Sequence, residues 1–357
     1  MNMPVKLLNR SMLLASAPFL GILIWLLVTQ LIITIPNEKP TATGMPDTGT
    51  ATATKTAAKG LDDASHLAAT TQASIKKQIH LYEQTNANIQ LIVSTVSTQV
   101  QRPLLVYDRR ITGKLGYTTR TIQSSKLRAQ LFTISAQNFS GYALKVKLGD
   151  KDAMRMVLGH DKFGGSETTL AAVKRYNAVA GVNAGGFADG RGKRYPLSTT
   201  VLDGQYVNGF DPTHADLFFV GLNEDNKLIG GSFSNKDQLD RLKPKFGASF
   251  VPILLQNGRP VPIPLKWQTS PKRAPRTAIA SYKDDQLLFL VIDGYSESGS
   301  SGATLEELQI LLTRFGAVNA YNLDGGGSSS LIFNGSVVNR PSDGQLRPLP
   351  THFLFFD

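Results

Sequence analysis

The chain has 357 residues, of which 41% are hydrophobic and 18% charged, with a formal net charge of +11 and no cysteine. That length buries a sizeable core in one or two domains, and the lack of cysteine excludes disulfides, a thiol nucleophile and cysteine metal sites. A basic surface favours anionic partners. The positive residues are scattered, however, with no arginine-rich arm or aromatic-interleaved basic stripe, so nucleic acid is not expected among them.

The first element in chain order is apolar. No charged residue occurs from Ser11 to Asn37, and a helix over Met12–Ile35 would rise about 36 Å, enough for a hydrocarbon slab of about 30 Å. Lys6 and Arg10 flank its start and should hold that end in the cytoplasm. The expected layout is a cytoplasmic tail over 1–10 and a single transmembrane anchor over 11–35, with everything after it outside the cytoplasm. A signal peptide cut after Ala15-Ser16-Ala17 competes with this reading, but the apolar run is longer than a signal core. Residues 36–60, rich in Thr, Ala, Pro and Gly, read as a flexible linker.

The texture then changes. Leu61, Ala64, Ala68, Thr71, Ile75, Ile79, Tyr82, Asn86, Ile89, Val93, Val96 and Val100 recur at spacings of three and four. That is helical periodicity close to a heptad seam. It predicts a stalk helix over 61–100 that either dimerises with a second copy or packs on the main domain.

Residues 101–357 form the expected catalytic domain. Short apolar runs broken by Gly, Pro, Asn and Asp predict strands at Gln130–Ser135, Ala143–Leu148, Ala178–Asn183, Leu217–Leu222, Ala278–Tyr282, Leu287–Ile292, Asn319–Leu323, Ser330–Phe333 and Phe353–Phe356. Helices are expected at Glu167–Tyr176 and Thr304–Phe315. The mix predicts an α/β domain, with α+β as the alternative, built on a central, mainly mixed sheet.

Several chemistries lack their motifs: there is no GxxxxGK[ST], no HExxH and no GxSxG. The five histidines stand far apart in sequence, so no histidine metal site is visible and the metal requirement stays open. What remains are glycine-rich corners after predicted strands. In Asn322-Leu323-Asp324-Gly325-Gly326-Gly327-Ser328 an apolar strand ends in aspartate. Three glycines then free consecutive N–H groups to face an oxyanion, with the serine hydroxyl beside them. A tight turn would need fewer glycines. Val182-Asn183-Ala184-Gly185-Gly186-Phe187 repeats the pattern with an amide, which can both donate to and accept from sugar hydroxyls or simply cap a turn. Val291-Ile292-Asp293-Gly294 is a third corner, followed by a Gly/Ser-rich stretch that reads as a mobile loop over a ligand. Arg276 opens a strand and could fork onto a phosphate or lie on the surface. Thr304 and Glu307 form a capping box, which gives Glu307 a structural task.

Together, Val182–Phe187, Ala274-Pro275-Arg276-Thr277-Ala278, Ile292-Asp293-Gly294, Gly302–Leu308 and Asn322–Ser328 resemble the phosphodiester glycosidase family. Val337–Gly344 and Arg347-Pro348 also fit, so the resemblance runs from about Leu131 to Asp357. The family's animal members contain cysteine, which this chain lacks. The resemblance implies hydrolysis of a glycosyl-1-phosphodiester to a free sugar and a phosphomonoester, here in a cell-envelope or exopolysaccharide glycan. Cleavage at an anomeric carbon calls for a carboxylate, and the phosphate leaving group calls for anion stabilisation.

Asp324 is expected in the carboxylate role, with Asp293 as its alternative or partner. Arg276 and the N–H groups of Gly325, Gly326, Gly327 and Ser328 are expected on the phosphate, Asn183 on the sugar, and Gly186 in the same substrate-binding set. No cofactor is assigned, and a divalent cation between Asp324 and the phosphate stays open. Two other functions use the same parts: an anchored module that binds anionic wall polymer without catalysis, and a glycosyl transferase.

Overall fold

A computed structural model describes residues 50–214, 216–294 and 301–357. The expected tail, the anchor over 11–35, the linker up to residue 49 and the centre of the Gly/Ser-rich loop lie outside the described residues. Among those described, no helix is long and apolar enough to cross a membrane. The chain divides into two compact units that meet between Gln90 and Leu91.

The first helix, α1, spans Thr50–Leu115. It starts inside the stretch expected to be a flexible linker and runs beyond the expected stalk end at Val100, passing through Pro103. A proline removes one backbone bond and crowds the preceding turn, so the turns beyond it need support. Ile111 and Leu115 supply it by burial in the core. So does Lys145, 2% exposed, which pairs with Asp108 and donates to Thr112 Oγ1 at 2.9 Å and Gln130 Oε1 at 3.3 Å. Gly116, with φ 98°, ends the helix and donates its N–H to the Thr112 carbonyl, the left-handed stop that glycine adopts without strain.

The strands follow in chain order: β1 (Thr118–Gln123), β2 (Leu127–Ser135), β3 (Ser140–Leu148), β4 (Met154–Leu158), then helix α2 (Thr169–Arg175) and β5 (Ala180–Asn183). Next come β6 (Phe187–Gly190), β7 (Lys193–Pro196), β8 (Val201–Leu202), β9 (Gln205–Tyr206), β10 (Phe218–Asn223), β11 (Leu228–Gly231), α3 (Lys236–Asp240), β12 (Pro244–Phe250), β13 (Ile253–Gln256) and β14 (Arg259–Pro260). The last group is α4 (Leu265–Thr269), β15 (Arg276–Ser281), β16 (Leu287–Ile292), α5 (Leu305–Phe315), β17 (Asn319–Leu323), β18 (Leu331–Phe333), β19 (Ser336–Val337) and β20 (Thr351–Phe355).

An eight-stranded sheet runs β1-β2-β3-β16-β15-β17-β13-β14 beside two five-stranded sheets, β11-β10-β12-β8-β9 and β19-β18-β5-β20-β4. Neighbouring strands pair antiparallel, as in β15 with both β16 and β17, so the domain is α+β and the expected mixed sheet is corrected. The reason is an insertion. β16 and β17 point the same way and are joined through α5, as a parallel crossover would be, but β15 lies between them. Both faces of the central strands are covered, which is why β15 and β16 are buried at every position and read as continuous apolar runs. One core on this sheet gathers Phe218, Phe246, Phe289, Phe353 and Phe355, each fully buried aromatic contributing roughly 1.5–3 kcal/mol. The other packs Leu305, Leu308, Leu312 and Phe315 of α5 against Leu288, Leu290 and Ile292 of β16.

This topology sets the site. Arg276 pairs with Ile292 and Thr277 with Leu323, so Asp293, Arg276 and Asp324 emerge from three adjacent strands at one end of the sheet. The second sheet meets them there: Asn183 at the end of β5 pairs with His352, and Asp324 N–H donates to the Ala184 carbonyl at 3.3 Å.

Candidate active site

Asp324 follows the last residue of β17 and opens a single 3-10 turn over Gly326–Ser328. Burial raises its carboxyl to about 6 despite the lowering effects of the Ser328 hydroxyl, the Arg347 charge, the Gly325 N–H and the Arg194 charge. Its Oδ2 is shielded from solvent and has no hydrogen-bond partner among the described residues. A buried carboxylate oxygen without a partner is costly in a fold.

Around it stand two arginines that the sequence reading left without a role. Arg347 grips Asp343 Oδ2 through Nε at 2.9 Å and Nη2 at 2.7 Å, and its Nη1 lies 3.4 Å from Ser328 Oγ. It lies directly over the turn, since a Cβ on Gly327 would run into the Arg347 guanidinium and the Asp343 carboxylate. That explains one of the three glycines as a clearance for a side chain. Arg194 lies over the Phe187 ring at 4.8 Å, donates from Nε to Asp189 Oδ1 at 3.0 Å and bonds the Pro348 carbonyl. Both arginine side chains are part-exposed. Arg347-Pro348 belonged to the family resemblance in the sequence, but no local pattern tied it to a turn twenty residues earlier. Arg194, in a hairpin of two short strands, carried no signal.

Beneath the turn is a buried polar network centred on Asn183, which is 0% exposed. Asn183 Nδ2 donates to the Asp324 carbonyl at 2.6 Å. Its Oδ1 accepts from Thr277 Oγ1 at 3.0 Å and from the Ser330 N–H at 3.0 Å. The network continues from Ser330 Oγ to Thr169 Oγ1 at 2.7 Å and on to His352 Nδ1 at 3.1 Å. The expectation that Asn183 contacts sugar hydroxyls is therefore corrected: its amide is engaged by the protein on both sides, and it positions the main chain of Asp324.

Gly186 is corrected in the same way. Its N–H donates to the Ser249 carbonyl at 3.0 Å, and a Cβ would strike the Phe250 ring, so its glycine serves packing against β12. Of the expected anion nest, the Gly326 N–H is taken by the Pro275 carbonyl at 2.8 Å and the Ser328 N–H by the Gly325 carbonyl at 3.1 Å. Gly325 itself sits where a Cβ would crowd the Pro275 carbonyl. Two of the four expected N–H groups are thus engaged by main-chain carbonyls, and Gly325 and Gly327 let neighbours approach.

Arg276 is 6% exposed and donates from Nε to the Ala303 carbonyl at 3.2 Å and from Nη2 to the Pro271 carbonyl at 2.9 Å. It ties the start of β15 to the segments before it and before α5. Asp293, also 6% exposed, accepts from the Arg340 N–H at 2.8 Å, and burial raises its carboxyl against the opposing pull of that bond and of Asn339. Asn339 in turn holds the Leu331 N–H and the Ser329 carbonyl, so Asp293 braces the segment that leads to Arg347. Glu307 makes the expected capping box with Thr304 and pairs with Arg273. Among the described residues no group of three His, Asp or Glu converges to hold a metal ion.

Comparison with known proteins places this arrangement. The family model for phosphodiester glycosidases matches residues 176–356, just over half the chain and all of the segment from β5 to β20. An SPbeta prophage-derived uncharacterized protein, YomE of Bacillus subtilis, is 30% identical over 183 residues, covering 50% of this chain and 28% of that protein. The N-acetylglucosamine-1-phosphodiester alpha-N-acetylglucosaminidase of Mus musculus is 29% identical over 161 residues, covering 41% of this chain and 30% of the mouse protein. The chain thus spans less than a third of the length of these curated relatives. Among solved structures, the zebrafish N-acetylglucosamine-1-phosphodiester alpha-N-acetylglucosaminidase catalytic domain, auto-inhibited by its pro-peptide, aligns with a TM-score of 0.53 at 23% identity. The alignment covers 68% of this chain and 89% of that one. A hypothetical protein from Synechocystis aligns with the same TM-score of 0.53 at 15% identity, covering 66% and 63%; both likenesses concern the fold. With a match of this extent, over the segment that carries Asp324, Arg194, Arg347 and Asn183, the chain belongs to the phosphodiester glycosidase family.

Proposed function

We propose that the chain hydrolyses a glycosyl-1-phosphodiester, and that Asp324 is the carboxylate that acts at the anomeric carbon. The observation that carries this reading is a half-buried carboxylate with one unpartnered oxygen, at the mouth of a glycine turn and under the charges of Arg347 and Arg194. As the bond from the anomeric carbon to the phosphate oxygen breaks, its electron pair leaves on the phosphate. The carboxylate stabilises or attacks the positive centre, and water supplies the hydroxyl of the released sugar. The phosphate is a good leaving group, so it needs a cation more than an acid. Arg347 and Arg194 take the place that the sequence reading gave to Arg276, and their charges also separate an ionised Asp324 from the phosphate. Asp293 acts in support, through the segment it braces.

Substrate and location are parts of the same proposal. The substrate is a sugar–phosphate diester of a cell-envelope or exopolysaccharide glycan. The chain works outside the cytoplasm, on an anchor formed by the uncharged run over 11–35; the basic flank at Lys6 and Arg10 and the net charge of +11 support both. The test is sugar release from a panel of α-glycosyl-1-phosphodiesters, with the Asp324→Asn variant in parallel. Release by the unaltered chain and its loss in the variant support the reading. Tight binding of anionic polymer without release by either would replace it with a binding module.

A further inference from the structure

From Leu61 to Ile89 the helix α1 leaves every side chain exposed, including Leu61 at 77%, Ile75 at 51%, Ile79 at 53%, Tyr82 at 68% and Ile89 at 51%. These residues are not scattered round the helix. With Ala64, Ala68, Thr71 and Asn86 they follow the three–four alternation of a heptad seam, broken once where Ile75 and Ile79 stand four apart. One such insertion loosens a left-handed supercoil locally without ending it. The stretch is about 43 Å long at 1.5 Å per residue, about four heptads, the length at which the pattern signals a coiled coil.

Three features say what covers this seam. The first is charge. Asp62, Asp63, Lys76 and Lys77 stand at outer positions. The positions that flank the seam are held by Ser65, Leu67, Gln72, Ser74, Gln78, Thr85 and Gln90, with Glu83 the single charged exception. In a parallel pair Glu83 faces Gln78 of the other helix, so two identical chains meet without like-charge repulsion. A surface lying on an anionic membrane would instead carry a basic polar face, and this face is of mixed sign. The second feature is Asn86, a polar residue at a seam position amid apolar ones. It is unsatisfied against an aliphatic partner and satisfied against its own copy, which fixes parallel orientation and register. The third is size: Ala64 and Ala68 allow close approach where the seam begins.

We infer that residues 61–89 form a parallel, in-register two-stranded coiled coil with a second copy of this chain, so that the catalytic domains are presented in pairs. The pairing does not depend on the catalytic reading, and its test needs no substrate.

The absence of cysteine makes that test clean. Single cysteines are placed in the full chain at seam positions (Ile79→Cys, Tyr82→Cys, Ile89→Cys) and at outer positions (Lys76→Cys, Leu81→Cys), followed by mild oxidation. A disulfide needs Cα atoms within about 7 Å, so a parallel in-register pair cross-links each seam variant to itself several-fold more than either outer variant. In an Asn86→Leu background the preference should weaken, as the device that fixes register is gone. Equal yields at seam and outer positions, or none at any, would overturn the inference. So would cross-linking of Ile75→Cys to Ile89→Cys in mixed samples in preference to either with itself, which would mean an antiparallel pair.

Discussion

Replacing Asn183 with leucine tests the claim that this residue positions Asp324 and does not bind sugar. The side chains have similar volume, so the change removes hydrogen bonds more than packing. Asn183 makes three: to the Asp324 carbonyl at 2.6 Å, and from Thr277 Oγ1 and the Ser330 N–H, each at 3.0 Å. Thr277 keeps a partner in Ser329 Oγ at 3.1 Å, so the substitution orphans chiefly two buried backbone groups. At roughly 1–3 kcal/mol for each buried group left unpaired, the expected loss of stability is about 2–6 kcal/mol, large against the 5–15 kcal/mol of an ordinary domain. Denaturant unfolding of the two proteins measures it directly. In the folded fraction kcat should fall while KM changes little, because the carboxylate is misplaced and the substrate contacts remain. The reasoning would be refuted by a stability loss below about 1 kcal/mol together with a raised KM and an unchanged kcat, the pattern expected if the amide contacted the sugar.

Burial holds Asp324 at about 6, and the ionised form is the active one in this account, so kcat/KM should rise with pH through about 6; a flat profile from pH 5 to 8 would contradict it. Arg347→Ala removes a charge that favours that ionised form, so the acid limb should move upward, and the lost charge-assisted contact, about 1.5–3 kcal/mol, should lower kcat/KM by roughly 10- to 150-fold. Gly327→Ala should leave stability nearly unchanged, because the atoms nearest its Cβ are the movable ends of Arg347 and Asp343. Activity should nevertheless fall as Arg347 is pushed from the turn, which kinetics and unfolding on the same sample would separate. Burial lowers His352 to about 4, so the folded state resists a proton that the unfolded chain accepts near 6.5. Stability is therefore full above about 6.5 and is lost toward pH 4 by about 3 kcal/mol. Ionised Asp324 has the opposite sign, gaining stability as pH falls through about 6, so the His352 slope should be read in Asp324→Asn and should flatten when His352→Gln is added.

Two strands have the expected limits: Leu287–Ile292, a continuous apolar run, and Asn319–Leu323, which ends just before the Asp-Gly corner. The place of Asp324, at the end of a strand and before a glycine turn, was legible in the sequence Leu323-Asp324-Gly325-Gly326-Gly327. The function of those glycines was not, since an open backbone looks the same in sequence whether it faces an anion or makes room for Arg347. Asn183 and Arg276 show the same limit. A polar residue at a strand end gives no sign of whether it points outward to a ligand or inward to carbonyl groups, and here the ends of two sheets converge and enclose both. The pairing of β15 between β16 and β17 was also hidden, because strand order depends on contacts between distant segments.

The central claim is tested most directly by measuring free sugar from a defined α-glycosyl-1-phosphodiester with the purified chain and its Asp324→Asn variant, after unfolding curves show both to be folded. The account predicts release by the unaltered chain, with sugar and phosphomonoester in equal amounts, and loss of at least about 100-fold in the variant, the scale of removing one group that acts on charge developed in the transition state. Undiminished release by a folded Asp324→Asn protein would contradict it.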